Sequence, residues 1–229
     1  MKPQKIIDNE NRKMKPQEII HNPVTGETLY VLESTPEVFK AAYRLRPGGA
    51  VAAAHYHPSH EQSITVLAGE LHCRVGRERC VVRAGETLRI PPGTRHDQSN
   101  PGAEEVIAIE ELRPGARFRT MFRVVFALAW DGRTNSRGYP DLMIGAAFLD
   151  EFKDVLRPAR RRERILFALL APVSRLLGHD RILARYLREF EAGPARGHLA
   201  APPWREPADA RREAEFWNAL GTAAEALEK

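Results

Sequence analysis

The sequence predicts an all-β barrel or sandwich followed by an α-helical extension, and three observations lead there. Between about residues 24 and 113, short runs of branched and aromatic residues alternate with Gly, Pro and Asn, the texture of many short strands closed into a barrel or two layers. After Pro114 that punctuation gives way to helical spacing, with Phe118, Met121, Phe122, Val125 and Leu128 on one face. The 229 residues, 43% apolar, suffice for one sizeable core with an appendage.

The elements follow in order. MKPQKIIDN (1–9) is echoed by MKPQEIIHN (14–22), a local duplication or a second start; otherwise both copies are short edge strands. Residues 1–13 carry no apolar face, so the segment 1–23 is expected to be partly disordered. TLYVLES, FKAAYRLR, AVAAAHYH, SITVLAG, LHCRVG, CVVRAG, ETLRIPP and EEVIAIEE read as strands of a β domain over 24–113. Phe39, Ala41, Tyr43 and Leu45 share one face, because successive side chains alternate. The extension, 114–192, contains helices predicted at 116–130, 141–156, 162–178 and 179–192, with a loop at 131–140. The third is apolar on nearly all sides, kinked at Pro172 and stopped by Gly178. A Pro/Gly-rich linker (193–207) and a polar amphipathic helix (208–227) make up a last unit, 193–229.

Composition narrows the function classes. The polar N-terminus has no signal-peptide core. The run Ile165–Val173 falls far short of the roughly 20 residues that span a bilayer, so a soluble cytoplasmic protein is expected. Abundant Arg and Ala suggest GC-rich bacterial coding. Cys73 and Cys80 flank a turn at Gly76-Arg77; free buried thiols are the default, a cross-hairpin disulfide the alternative. Residues 1–113 carry equal numbers of basic and acidic side chains, so the net charge of +5 arises after them, peaking in RPARRRER (157–164). That run is a solvated face, or a contact for phosphate or anionic lipid. The 162–178 helix packs on the barrel, on helix 141–156 or on a second subunit; lying on a membrane surface through Arg160, Arg161, Arg162 and Arg164 is the alternative. No helix-turn-helix or base-stacking pattern appears, so no nucleic-acid partner is expected.

The chemistry gathers in HYHPSHEQSITVLAGE (55–70) and GETLRIPPGTRHDQSN (85–100). His55 and His57, two apart on a strand, point to the same side with Val51 and Ala53. Two imidazoles are poor core packing but good ligands for a divalent transition metal. In the second phrase a Pro-Pro-Gly turn re-aims the chain, and a strand restarts with His96, Gln98 and Asn100 on one face. His96 supplies the third nitrogen.

These phrases resemble the paired motifs of the cupin superfamily, G-x5-H-x-H-x(3,4)-E-x6-G and G-x5-P-x-G-x2-H-x3-N. The second matches throughout; the first matches at Gly49, His55, His57 and Gly69. The resemblance implies a six- to eight-strand jelly-roll barrel with its site inside, metal ligands His55, His57 and His96, and commonly a homodimer paired through edge strands. The departure is the carboxylate. Counting from Gly69 reaches Gln62, counting from His57 reaches Glu61, and neighbours on a strand face oppositely. Parity with Ile64 and Val66 favours Gln62 inward as fourth ligand; a bulge would exchange the two. A neutral amide leaves the metal its full charge, weakening affinity while drawing an anionic or bidentate oxygen substrate. His60 reads as a surface loop residue. Gln62, Glu61, Tyr43 and Gln98 are the candidate catalytic set. Asn100 joins the polar lining, and Phe39, Leu45, Val51, Ile64, Val66, Leu71, Val75 and Ile90 the apolar lining, of a small-molecule pocket. The function expected from the resemblance is a dioxygenase-like oxidoreductase using Fe, Mn, Ni or Zn; a non-enzymatic ligand-binding module and a metal-dependent isomerase or cyclase are the alternatives.

Overall fold

A computed structural model describes residues 16–115 and 117–191, together with Phe216. The first MKPQ copy, the 193–207 linker and the 208–227 helix lie outside the described residues, Phe216 excepted. Ten strands form the β domain: β1 (Glu18–His21), β2 (Glu27–Ser34), β3 (Phe39–Leu45), β4 (Ala50–Tyr56), β5 (Glu61–Ala68), β6 (Glu70–Val75), β7 (Glu78–Arg83), β8 (Thr87–Ile90), β9 (His96–Ser99) and β10 (Val106–Arg113). With β11 (Arg157–Pro158), two antiparallel sheets, ordered β1-β2-β3-β10-β5-β8 and β11-β4-β9-β6-β7, face each other as a jelly roll. β11 comes from the extension and pairs with Tyr56 and His55 of β4.

The alternation in the strands sets the core. Leu29, Val31, Phe39, Tyr43, Leu45, Ile64, Val66, Ala108 and Leu112 are buried in one cluster between the sheets. The opposite face of β2 and β3 is covered locally: Tyr30 and Ala42 pack with Phe216, whose ring stacks on Tyr30 at 4.3 Å. Glu18–His21 of the second copy form edge strand β1, and Glu18 accepts hydrogen bonds from Arg119 and Arg123, both at 2.9 Å.

Four helices follow among the described residues up to 191: α1 (Phe118–Trp130), α2 (Leu142–Glu151), α3 (Arg161–Leu176) and α4 (Asp180–Glu191). One differs from the sequence expectation. The helix predicted to reach 156 ends at Glu151, because the chain turns and becomes extended at Arg157, where the following Pro158 disfavours helical backbone. α3 runs through Pro172 and ends before Gly178, whose φ is 80°. Ser174 on its buried side donates to the Met143 carbonyl of α2 at 2.6 Å. Its other side leaves Ile165, Leu169, Val173 and Leu176 exposed.

Candidate metal centre

The site grows from β4. His55 and His57 are buried on its inner side as the alternation requires, and Val51 with them. Ala53, expected inward with them, lines the same cavity and is exposed within it; pairing with β9 shifts register by two residues between Val51 and His55, which preserves the alternation. The same pairing sets His96 opposite His55. The rings of His55, His57 and His96 lie 4.4–5.3 Å apart by centroids, and a ring nitrogen from each lies within 4.8 Å of the other two.

Each ring is held through Nδ1. His55 faces the Ala53 carbonyl at 2.7 Å, His96 that of Thr94 at 2.9 Å, and His57 that of Val155 at 2.7 Å. A carbonyl only accepts, so each Nδ1 carries the proton and each Nε2 presents a lone pair. His96 Nε2 is buried with no partner among the described residues. Burial keeps all three rings neutral: it drives His55 well below the usual imidazole range, takes His57 down to about 3 and lowers His96. Neutral, convergent, oriented imidazoles fit a divalent transition metal. Val155 lies between α2 and β11, so the extension orients a ring of the barrel.

Gln62 is buried beside the histidines, whereas Glu61 is exposed on the other side of β5. Gln62 Nε2 donates to Glu110 Oε2 at 2.6 Å, and its Oε1 is left buried without a partner. The carboxylate sought in the motif thus stands one step back, on β10. Burial pushes the Glu110 carboxyl up to about 7, against the pull of the Gln62 amide. Tyr43 Oη donates to Gln98 Oε1 at 2.9 Å, leaving Gln98 Nε2 buried and unpartnered.

Three expectations are corrected. His60 is no surface residue: it is buried, its ring 4.9 Å edge-on from Phe118, because α1 covers that loop. Asn100 turns away to donate to the carbonyls of Leu45 and Glu104. Of the apolar lining expected from the barrel, only Val51 lines the cavity. The others fill the barrel interior, and the apolar wall comes from the extension: Phe122 and Phe126 of α1, Phe148 of α2, Phe167 of α3. The cavity is about 370 Å³ and is also lined by His55, His57, Gln62, Gln98, Glu27 and Glu110. The two glutamates were missed, although parity reveals both: Glu110 alternates with Ala108 and Leu112, and Glu27 with Leu29 and Val31.

The chain is similar to several known proteins. A "polyketide synthase CurC" of Streptomyces cyaneus is 36% identical over 70 residues, covering 31% of this chain and 45% of that protein. The chain thus spans less than half the length of that curated relative. Among solved structures, an RmlC-like cupin of Shewanella frigidimarina is 25% identical over 44% of this chain and 86% of that one, with a TM-score of 0.40. An oxalate oxidase with the substrate analogue glycolate is 30% identical over 34% and 42%, with a TM-score of 0.31. Residues 42–110 match the family described as "Cupin domain". Over those residues, carried by the two-sheet jelly roll, the chain contains a cupin domain.

Proposed function

We propose that the protein is a metal-dependent enzyme acting on a small, largely apolar organic molecule, with dioxygenase-type oxidation as its reaction. The observation that carries this reading is the set of three convergent imidazoles, each fixed through Nδ1, two of which, His55 and His57, line a cavity walled by phenylalanines. His55, His57 and His96 would hold the metal, with the free Gln62 Oε1 as fourth donor. When bound, the metal supplies Lewis acidity and, as Fe, Mn or Ni rather than Zn, redox chemistry with O₂.

The protein's own groups do the rest. Glu110 fixes the Gln62 amide so that its oxygen, not its NH₂, is available. Tyr43 fixes Gln98 so that its NH₂ is free to donate to a substrate oxygen. The phenylalanines exclude water, which strengthens these polar contacts. Glu61, exposed, has no part in this reading.

A metal-dependent isomerase or cyclase is a second reading. Glu110 favours it: a cavity-lining carboxyl pushed to about 7 is matched to proton transfer near neutral pH.

The test is elemental analysis of untagged protein followed by oxygen uptake on a panel of small aromatic substrates. Stoichiometric metal and O₂ consumption, both lost in His57→Ala, are expected. Turnover that survives His57→Ala overturns the proposal. Product without O₂ consumption selects the isomerase reading, and ligand-induced stabilisation without product selects a non-enzymatic binding module. The same reading takes the protein as a cytoplasmic homodimer, supported by the exposed side chains of α3, whose Leu169 and Leu176 are 67% and 87% exposed. Light scattering reads this, and vesicle flotation reads the alternative contact of α3 with a membrane surface. No described helix is long and apolar enough to cross a membrane.

A further inference from the structure

The buried inner face of the six-stranded sheet is apolar except along one diagonal. Leu29 stands opposite Tyr43, Tyr43 opposite Ala108, and Glu110 opposite Ile64. Glu27 lies two residues from Leu29, Glu110 two from Ala108 and Gln62 two from Ile64, each step in the same direction along the sheet. Glu27, Tyr43, Glu110 and Gln62 therefore form a polar row across β2, β3, β10 and β5. Side chains offset in this way are within about 7–8 Å of each other.

Most of the row is partnered. Gln62 bonds to Glu110, and Tyr43 to Gln98 on the facing sheet. Glu27 is the exception. It is 4% exposed, it lines the cavity, and among the described residues its carboxyl makes no hydrogen bond or ion pair. Its electrostatic neighbour is a second acid, Glu110, and burial with that neighbour pushes the Glu27 carboxyl up to about 8. Gln98 Nε2, attached through its own amide to the Tyr43 hydroxyl, is likewise buried, unpartnered and on the cavity. Buried polar groups in native proteins are partnered almost without exception. A buried acid and a buried amide donor, both short of partners on one cavity, are the complement of a ligand group.

We propose that Glu27 and Gln98 form a second polar subsite of the cavity, which takes a hydroxyl group of the substrate. A hydroxyl donates to the Glu27 carboxyl and accepts from Gln98 Nε2 together. An ammonium cannot accept from Gln98, and a carboxylate meets two acids in the row. The substrate is then an apolar, ring-sized molecule with an oxygen function toward the three histidines and a hydroxyl toward Glu27. The inference rests on the cavity being the substrate site, as proposed above, but not on the metal.

The experiment titrates the purified full chain with benzyl alcohol, benzylamine, benzoate and toluene, which share one ring and differ in the polar group. Benzyl alcohol is expected to bind about tenfold more tightly than toluene. That ratio should fall to near one in Glu27→Leu, fall in Gln98→Leu, and persist in Glu27→Gln, whose amide oxygen still accepts. It should also persist in His57→Ala, which separates this subsite from the metal proposal: loss of oxygen uptake there with the ratio intact leaves the subsite standing. An unchanged ratio in both Leu variants overturns the inference, as does benzylamine or benzoate binding more tightly than the alcohol. Thermal melts accompany each titration, and Gln98→Leu keeps the test decisive should Glu27→Leu fail to fold.

Discussion

Gln62 and Glu110 exchange the roles that the motif leads one to expect. The carboxylate is present, but on β10 behind the amide. Exchanging them in the variant Gln62→Glu/Glu110→Gln places the negative charge beside the histidines and should tighten metal binding on the order of tenfold, the scale on which shells around a metal act. Gln62→Glu alone should gain less, since two adjacent acids oppose each other's ionisation. Chelator competition measures both; equal gains would show that Glu110 does not bear on the site. Glu27 gives a pH signature. Its carboxyl ionises near 4.5 when unfolded and about 8 when folded, so the native state holds a proton that the unfolded chain has lost. Stability from this group is whole below pH 4.5 and is lost as pH rises to about 8. Glu27→Gln should therefore gain on wild type by roughly 1–3 kcal/mol between pH 5 and pH 8 in urea unfolding. The buried imidazoles tilt both profiles the other way below pH 6.5, so the difference between the two proteins is the reading, and a constant difference would refute it. The histidines and Gln62 were legible because motif spacing and strand parity act on single residues. Glu27 and Glu110 were equally accessible to parity, but each lies outside the two spaced motifs.

The strands were legible because each carries its own alternation and its own stop. β5 shows how firmly such a stop can be enforced. Gly69 has a φ of 77°, and a Cβ there would sit 2.6 Å from the Glu105 carbonyl. Gly69→Ala should cost about 2 kcal/mol or more, from left-handed backbone and collision together; a melting temperature unchanged by the substitution would contradict this. The extension was less legible. α1 and α4 follow their periodicity. The chain after α2 did not: Phe152 and Val155 are apolar at helical spacing, yet they are buried in a turn. The competing demand came from the exposed backbone of β4, which β11 pairs. Two residues of strand leave no periodicity to read.

At the scale of the whole molecule, barrel and helices share the cavity, and a sequence reading that assigned the pocket to the barrel alone had no means of placing Phe122, Phe148 or Phe167 on it. Their spacing shows that each helix has an apolar face, not what that face meets. The sharing has a measurable outcome. Metal binding should stabilise the fold by about 2.7 kcal/mol at a hundredfold excess over Kd, and hydrogen exchange should slow in residues 152–158 as well as in β4 and β9. Protection confined to the barrel strands would mean that the extension is indifferent to the metal.

The bond from His57 to the Val155 carbonyl carries a further consequence. An imidazole has two tautomers, and here the choice between them is made by a segment nearly a hundred residues downstream. A barrel excised from this chain would keep every ligand yet lose the latch on one, leaving His57 to drift between a coordinating form and an inert one. The appendage is thus a remote handle on the proposed centre: whatever lifts the 152–158 segment off β4 unlatches His57 while leaving all three imidazoles in the barrel.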